Sequence, residues 1–145
     1  MRTLLLAPAV VLVAACQPAK HQVSIDNAWV RLAAVPGNPS AAYFTLKGGP
    51  KDETLTGVSA AQAMRAEMHE SMNTGGTMSM APVKLVAVRK GVDTVFAPGG
   101  KHVMLFGLKP DVMAGGTTPL TFTFASGQTL TVKAKVVGAG DNAPE

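Results

Sequence analysis

The chain has 145 residues, the size of one compact domain of ~100–200 residues, and is 47% hydrophobic and 15% charged. That balance excludes a disordered polyelectrolyte, which combines low hydrophobicity with high net charge. Thirteen Lys and Arg against nine Asp and Glu leave +4, without the clustered basic stripe that nucleic-acid binding requires, so no nucleic-acid partner is expected.

Met1-Arg2 is a short positive start, and Leu4 to Val13 is an apolar run too short for a bilayer span of ~20 helical residues. Residues 1–15 therefore read as a signal peptide. Val13-Ala14-Ala15-Cys16 sets small residues before the single cysteine of the chain and resembles the lipobox of bacterial lipoproteins, with Cys16 as the lipidated residue. The alternative is an ordinary signal peptide cut after Ala14 or Ala15. Either reading exports the protein to the periplasmic side of the cell envelope, and in the lipobox reading its membrane contact is only through the lipid anchor. Gln17 rather than Asp after the cysteine favours the outer membrane. Loss of Arg2 lowers the net charge from +4 to +3. A lone cysteine forms no internal disulfide, so the core must supply the stability.

Residues 16–22 form the lipidated cysteine and a polar tether that carries His21. Residues 23–138 form the domain. They break into β-leaning runs at Trp29–Leu32, Ala42–Lys47, Thr54–Val58, Val83–Val88, Val92–Phe96, His102–Leu108, Leu120–Phe124 and Leu130–Val137, separated by dense Gly, Pro and Asn turns. Leu120, Phe122 and Phe124 alternate with threonines, and Leu130, Val132, Ala134 and Val136 alternate with Thr131, Lys133 and Lys135. This is the period of two of strands with one buried face, and it predicts a hairpin. Many short strands between frequent turns predict an all-β sandwich or barrel. Good helix formers cluster only around Ala60–Met68, so at most one short helix is expected. Residues 139–145 read as a disordered tail.

Five of the eight methionines fall between Met64 and Met80. In the exported part the imidazoles and thioethers are His21, Met64, Met68, His69, Met72, Met78, Met80, His102, Met104 and Met113. His102-Val103-Met104 lies in a strand-like run, so both polarisable side chains point the same way. Met78-Ser79-Met80 does the same if extended, and a hairpin through Gly75-Gly76 can bring His69 to Met80. Taken singly, these patterns also describe a strand face with methionine as filler, or a flexible Met-rich loop. Together, two imidazoles and two thioethers make a soft, neutral donor set that favours Cu(I) over Zn²⁺, Mg²⁺ or Ca²⁺. A blue-copper site needs a cysteine thiolate, and Cys16 is committed elsewhere. The HExxH, phosphate-loop and G-x-S-x-G signatures are absent, and no enzymatic activity is expected. Asp52-Glu53 and Glu67 with Glu70 read as solvated surface carboxylates. Met72, Met78 and His21 are secondary or rim candidates.

His69-x10-Met80-x21-His102-x-Met104 resembles the copper-binding signature of the periplasmic PCu(A)C copper chaperones. Asn27-Ala28-Trp29-Val30-Arg31, Ala42-Tyr43-Phe44-Thr45-Leu46, Met78 to Val83 and Pro98 to Lys109 are similar to that family's segments. The resemblance implies a cupredoxin-like Greek-key β-sandwich that holds one Cu(I) through His69, Met80, His102 and Met104. It also implies delivery by ligand exchange toward cytochrome c oxidase assembly, to the copper-bearing oxidase subunit or a Sco-type assembly protein. The alternatives are copper storage or resistance, and a non-metal envelope lipoprotein that serves as an interaction module. Some members carry a His- and Met-rich C-terminal extension for a second copper; residues 140–145 here contain neither residue type.

Protons compete for imidazole nitrogens and not for thioethers. Cu(I) affinity should therefore fall on acidification through the ordinary imidazole range near ~6.5, in a competition titration against a Cu(I) chelator. Undiminished affinity well below that range would contradict imidazole ligation.

Overall fold

A computed structural model describes residues 22–145; the signal segment, Cys16 and His21 lie outside the described residues. The described chain contains ten strands and no helix: β1 (Ser24–Arg31), β2 (Ser40–Lys47), β3 (Glu53–Ser59), β4 (Arg65–Thr74), β5 (Thr77–Pro82), β6 (Val86–Val88), β7 (Thr94–Phe96), β8 (Lys101–Phe106), β9 (Thr117–Phe124) and β10 (Thr129–Val137). They form one hydrogen-bonded sheet in the order β5-β4-β8-β7-β2-β1-β10-β9-β3-β6, with β8 also paired to β2. Pairing is parallel between β1 and β10 and between β7 and β8, and antiparallel elsewhere. β3 packs against β4, so the sheet curls on itself and encloses one core.

Alternation in the sequence builds that core. Along β9, Thr118, Leu120, Phe122 and Phe124 are buried while the residues between them face outward. β10 pairs antiparallel with β9, with Leu130 opposite Phe122, which is the hairpin that the period of two predicts. Phe44 lies between Phe96, stacked at 4.3 Å between ring centroids, and Phe122, edge-on at 4.7 Å. Leu46, Leu55, Val88, Val103, Leu105, Leu120 and Ala134 complete a fully dry centre.

Two local backbone features shape the strands at the middle of the sheet. β1 carries a bulge between Asp26 and Trp29, where Asn27 takes φ 51°, a left-handed conformation that asparagine tolerates better than most side chains. Beyond the bulge Val30 enters the core, with Trp29 and Arg31 on the opposite face. At Gly48 the chain passes the β6–β7 loop so closely that a Cβ would lie 2.1 Å from the Arg89 carbonyl oxygen.

The stretch of good helix formers is not helical. Residues 61–64 make a turn, and Arg65 opens the ten-residue strand β4. Six cross-strand pairings to β8 and the burial of Met68 in the core outweigh a propensity difference of at most ~0.7 kcal/mol per residue. Residues 139–145 carry no strand; Gly138 N–H donates to Asp141 Oδ2, and Lys135 Nζ donates to the Glu145 carbonyl.

Phe44→Ala removes the ring that joins Phe96 to Phe122 and should cost about 3–5 kcal/mol, read as a lowered denaturation midpoint with an unchanged slope. A loss below about 1 kcal/mol would contradict this packing.

Candidate metal centre

Cross-strand register decides which side chains meet, because directly opposed residues share a face and successive pairs alternate between faces. In the β4–β8 ladder Glu67 opposes Met104, Met68 opposes Val103, and His69 opposes His102. Met68 and Val103 are buried in the core, so Glu67, His69, His102 and Met104 turn to the outer face. In the β4–β5 ladder Pro82 opposes His69 and Met80 opposes Ser71, which puts Met80 on that face too. Two imidazoles and two thioethers thus share one face of three adjacent strands. The two imidazole rings lie 6.0 Å apart between centroids, 27° from parallel.

Exposure rises from His102 on β8 through His69 on β4 to Met80 on the edge strand β5. His102 is 7% exposed, the His69 side chain 15% and Met80 57%, with Met104 half-buried. Met80, His102 and Met104 line a shallow cavity of ≈ 260 Å³ together with Tyr43, Ser71 and Pro98. Met78 opposes Asn73 and so shares the face of Met80, nearer the hairpin turn and largely exposed. Met72 opposes Ser79 and points to the other face. Met68 is core; Met64 and Met113 are exposed.

Each ring has one nitrogen engaged. His102 Nδ1 lies 2.9 Å from the Gly100 carbonyl oxygen, which can only accept, so this nitrogen carries the proton and Nε2 keeps the lone pair. The same carbonyl accepts from Ser71 N–H at 3.1 Å, tying the ring to β4. His69 Nε2 lies 3.2 Å from Glu67 Oε2. Its Nδ1 is buried and has no hydrogen-bond partner, an arrangement that costs free energy unless something else uses the nitrogen. An imidazole anchored through one N–H to a carbonyl or carboxylate, with the other nitrogen left over, is how metal-binding histidines are held. Among the described residues no group of three or more His, Cys, Asp and Glu side chains is assembled for a metal, so the capacity of this face rests on the thioethers, which select a soft ion.

Glu67 is the residue that the sequence reading missed. Period two from His69 marks its face, but only once Arg65–Thr74 is read as a strand. Glu70, in contrast, pairs with Lys101 Nζ at 2.8 Å, the surface role expected of it.

An aromatic wall adjoins the cavity. Ala41 opposes Met104, so Tyr43, two residues on, shares the face. The Tyr43 ring packs on Trp29 at 4.5 Å, and the Arg31 guanidinium lies 5.0 Å from the Trp29 ring and 5.9 Å from the Tyr43 ring. Burial pushes the Tyr43 phenol above its ordinary value of 10.0, and the Arg31 charge pulls it partly back.

The family model "Putative lipoprotein LpqE-like" matches residues 23–136. A putative lipoprotein of Leifsonia xyli subsp. xyli is 32% identical over 125 residues, covering 83% of this chain and 74% of the relative. An uncharacterized protein of Rickettsia prowazekii is 32% identical over 130 residues, covering 86% and 71%. Among solved structures, the copper-bound PCuAC domain from PmoF2 shares the fold with a TM-score of 0.67 at 19% identity, covering 83% of this chain and 97% of that domain. The solution structure of Cu(I)-DR1885 from Deinococcus radiodurans aligns with a TM-score of 0.59 at 26% identity, covering 86% and 83%.

Tyr43 is the single tyrosine of the chain, so phenolate absorbance reads it alone. Its midpoint should lie above 10.0 and move higher still in Arg31→Leu. Because the folded value is raised, the associated stability is present below the unfolded midpoint and lost as pH climbs through the folded one. A midpoint at or below 10.0, or a downward shift in the variant, would contradict the buried stack.

Proposed function

The chain belongs to the LpqE-like lipoprotein family and has the fold of PCuAC domains, and from this we propose that it is a Cu(I)-binding metallochaperone of the cell envelope. The observation that supports the reading is the placement of two imidazoles, each with a lone-pair nitrogen to spare, and two thioethers on the face shared by β5, β4 and β8. The copper-bound PmoF2 domain and the Cu(I) form of DR1885 support copper as the cargo.

In this reading His69, Met80, His102 and Met104 hold one Cu(I). The set is neutral, so bound Cu(I) keeps its single positive charge on the face and is not locked in by an opposing thiolate. Release proceeds by ligand exchange. Met80, on edge strand β5 and the most exposed of the four, yields first to an incoming soft donor, while the imidazoles retain the ion until the acceptor is bonded. The recipient is the copper-bearing subunit of cytochrome c oxidase or a Sco-type assembly protein, and a lipid on Cys16 keeps the carrier at the periplasmic membrane surface. No bond-making catalysis is required.

Anaerobic titration of the chain from Gln17 onward should show one tight Cu(I) equivalent. Met80→Ala and Met104→Ala should each weaken Cu(I) on the order of tenfold or more, about 1.4 kcal/mol, and weaken Cu(II) less, because the thioether is the soft partner. Absence of a tight equivalent, or equal losses for both oxidation states, would overturn the proposal.

A further inference from the structure

Building on the Cu(I) reading above, we propose that Glu67 is a positioning residue for this site: its carboxylate, steadied by Arg65, fixes the His69 ring so that Nδ1 is the nitrogen offered to the metal. Glu67 opposes Met104 and precedes His69 by two residues in β4, so it shares the face of the four donors. Its side chain is 39% exposed and takes no part in the core, yet both oxygens are engaged. Oε1 forms an ion pair with Arg65 Nε at 2.8 Å, and Oε2 meets His69 Nε2 at 3.2 Å. Arg65 is itself held, because its guanidinium lies 4.2 Å over the ring of Phe106, the residue opposite it on β8.

A carboxylate only accepts, so Nε2 of His69 must carry a hydrogen. In the neutral ring Nδ1 then keeps its lone pair, and this is the buried nitrogen without a partner. The other tautomer would set a lone pair against a carboxylate oxygen at 3.2 Å and bury an N–H with no acceptor, two unfavourable outcomes at once. At His102 a neutral backbone carbonyl does the corresponding work and leaves Nε2 free. The two imidazoles therefore present unlike nitrogens, one steered by a peptide dipole and one by an anion. Glu67 acts through His69 and not on the ion, since no trio of His, Cys, Asp and Glu donors is assembled among the described residues. Its negative charge favours the divalent over the monovalent state of bound copper.

The test begins without metal. Long-range ¹H–¹⁵N correlations of the labelled chain in mildly alkaline buffer should report His69 as the Nε2–H tautomer. In Glu67→Leu that preference should vanish, and in the isosteric Glu67→Gln, which can accept or donate, it should be mixed. On loading, Glu67→Leu should lose about tenfold or more in Cu(I) affinity, the usual consequence of removing the partner of a metal-bound histidine. Glu67→Gln should raise the Cu(II)/Cu(I) potential through loss of charge and keep more of the affinity. A wild-type His69 in the Nδ1–H tautomer, or a Glu67→Leu variant with wild-type tautomer and affinity, would overturn this proposal and leave the chaperone reading intact. A wild-type chain that shows the Nε2–H tautomer but takes up no Cu(I) would instead overturn the chaperone reading.

Discussion

The pairing of β4 with β8 is the constraint on which the rest of the outer face depends. Six successive pairs, from Arg65 opposite Phe106 to Glu70 opposite Lys101, set His69 against His102. A slip of one residue would send the imidazoles to the core side and the apolar residues to solvent. What holds the register is mainly the buried pair between them: Met68 and Val103 each contribute about 1.5–3 kcal/mol by leaving water. The flanking Glu70–Lys101 bridge is partly exposed and of a kind that contributes ~0–1 kcal/mol. Hydrophobic alternation therefore aims the polar side chains, and the ion pairs only trim their geometry.

Rigidity is graded across the face, as the proposed carrier role requires. His69 and His102 sit on strands paired on both sides, with one ring nitrogen tied to Glu67 and to the Gly100 carbonyl respectively. Met80 sits on edge strand β5, exposed and flanked by the equally exposed Met78. Thioethers on flexible side chains suit an exchangeable contact, and oriented imidazoles suit a persistent one. The Trp29, Tyr43 and Arg31 stack closes one flank with a packed, largely dry wall.

Much of this was legible along the chain. The alternation in β9 and β10 marked a hairpin because one face is dry and the other wet, and the same period put His102 and Met104 together. β4 was not legible. Ala60–Met68 is rich in helix formers, and the alternation of Arg65, Glu67 and His69 against Ala66 and Met68 acquires meaning only when β8 lies alongside. Glu67 is illegible for the same reason: a carboxylate two residues from a histidine looks like any solvated surface charge until the strand aligns the two.

The sequence by itself determined the chemistry on offer: imidazoles and thioethers, their spacing, and the shared side of His102 and Met104. Those follow from side-chain identity and the two-residue period of an extended backbone. Only the tertiary structure decided that the donors share one face, which nitrogen of each ring is left free, and how exposure rises toward the edge. These are properties of pairing between segments distant along the chain, fixed by which apolar residues the core accepts, and no local pattern encodes them.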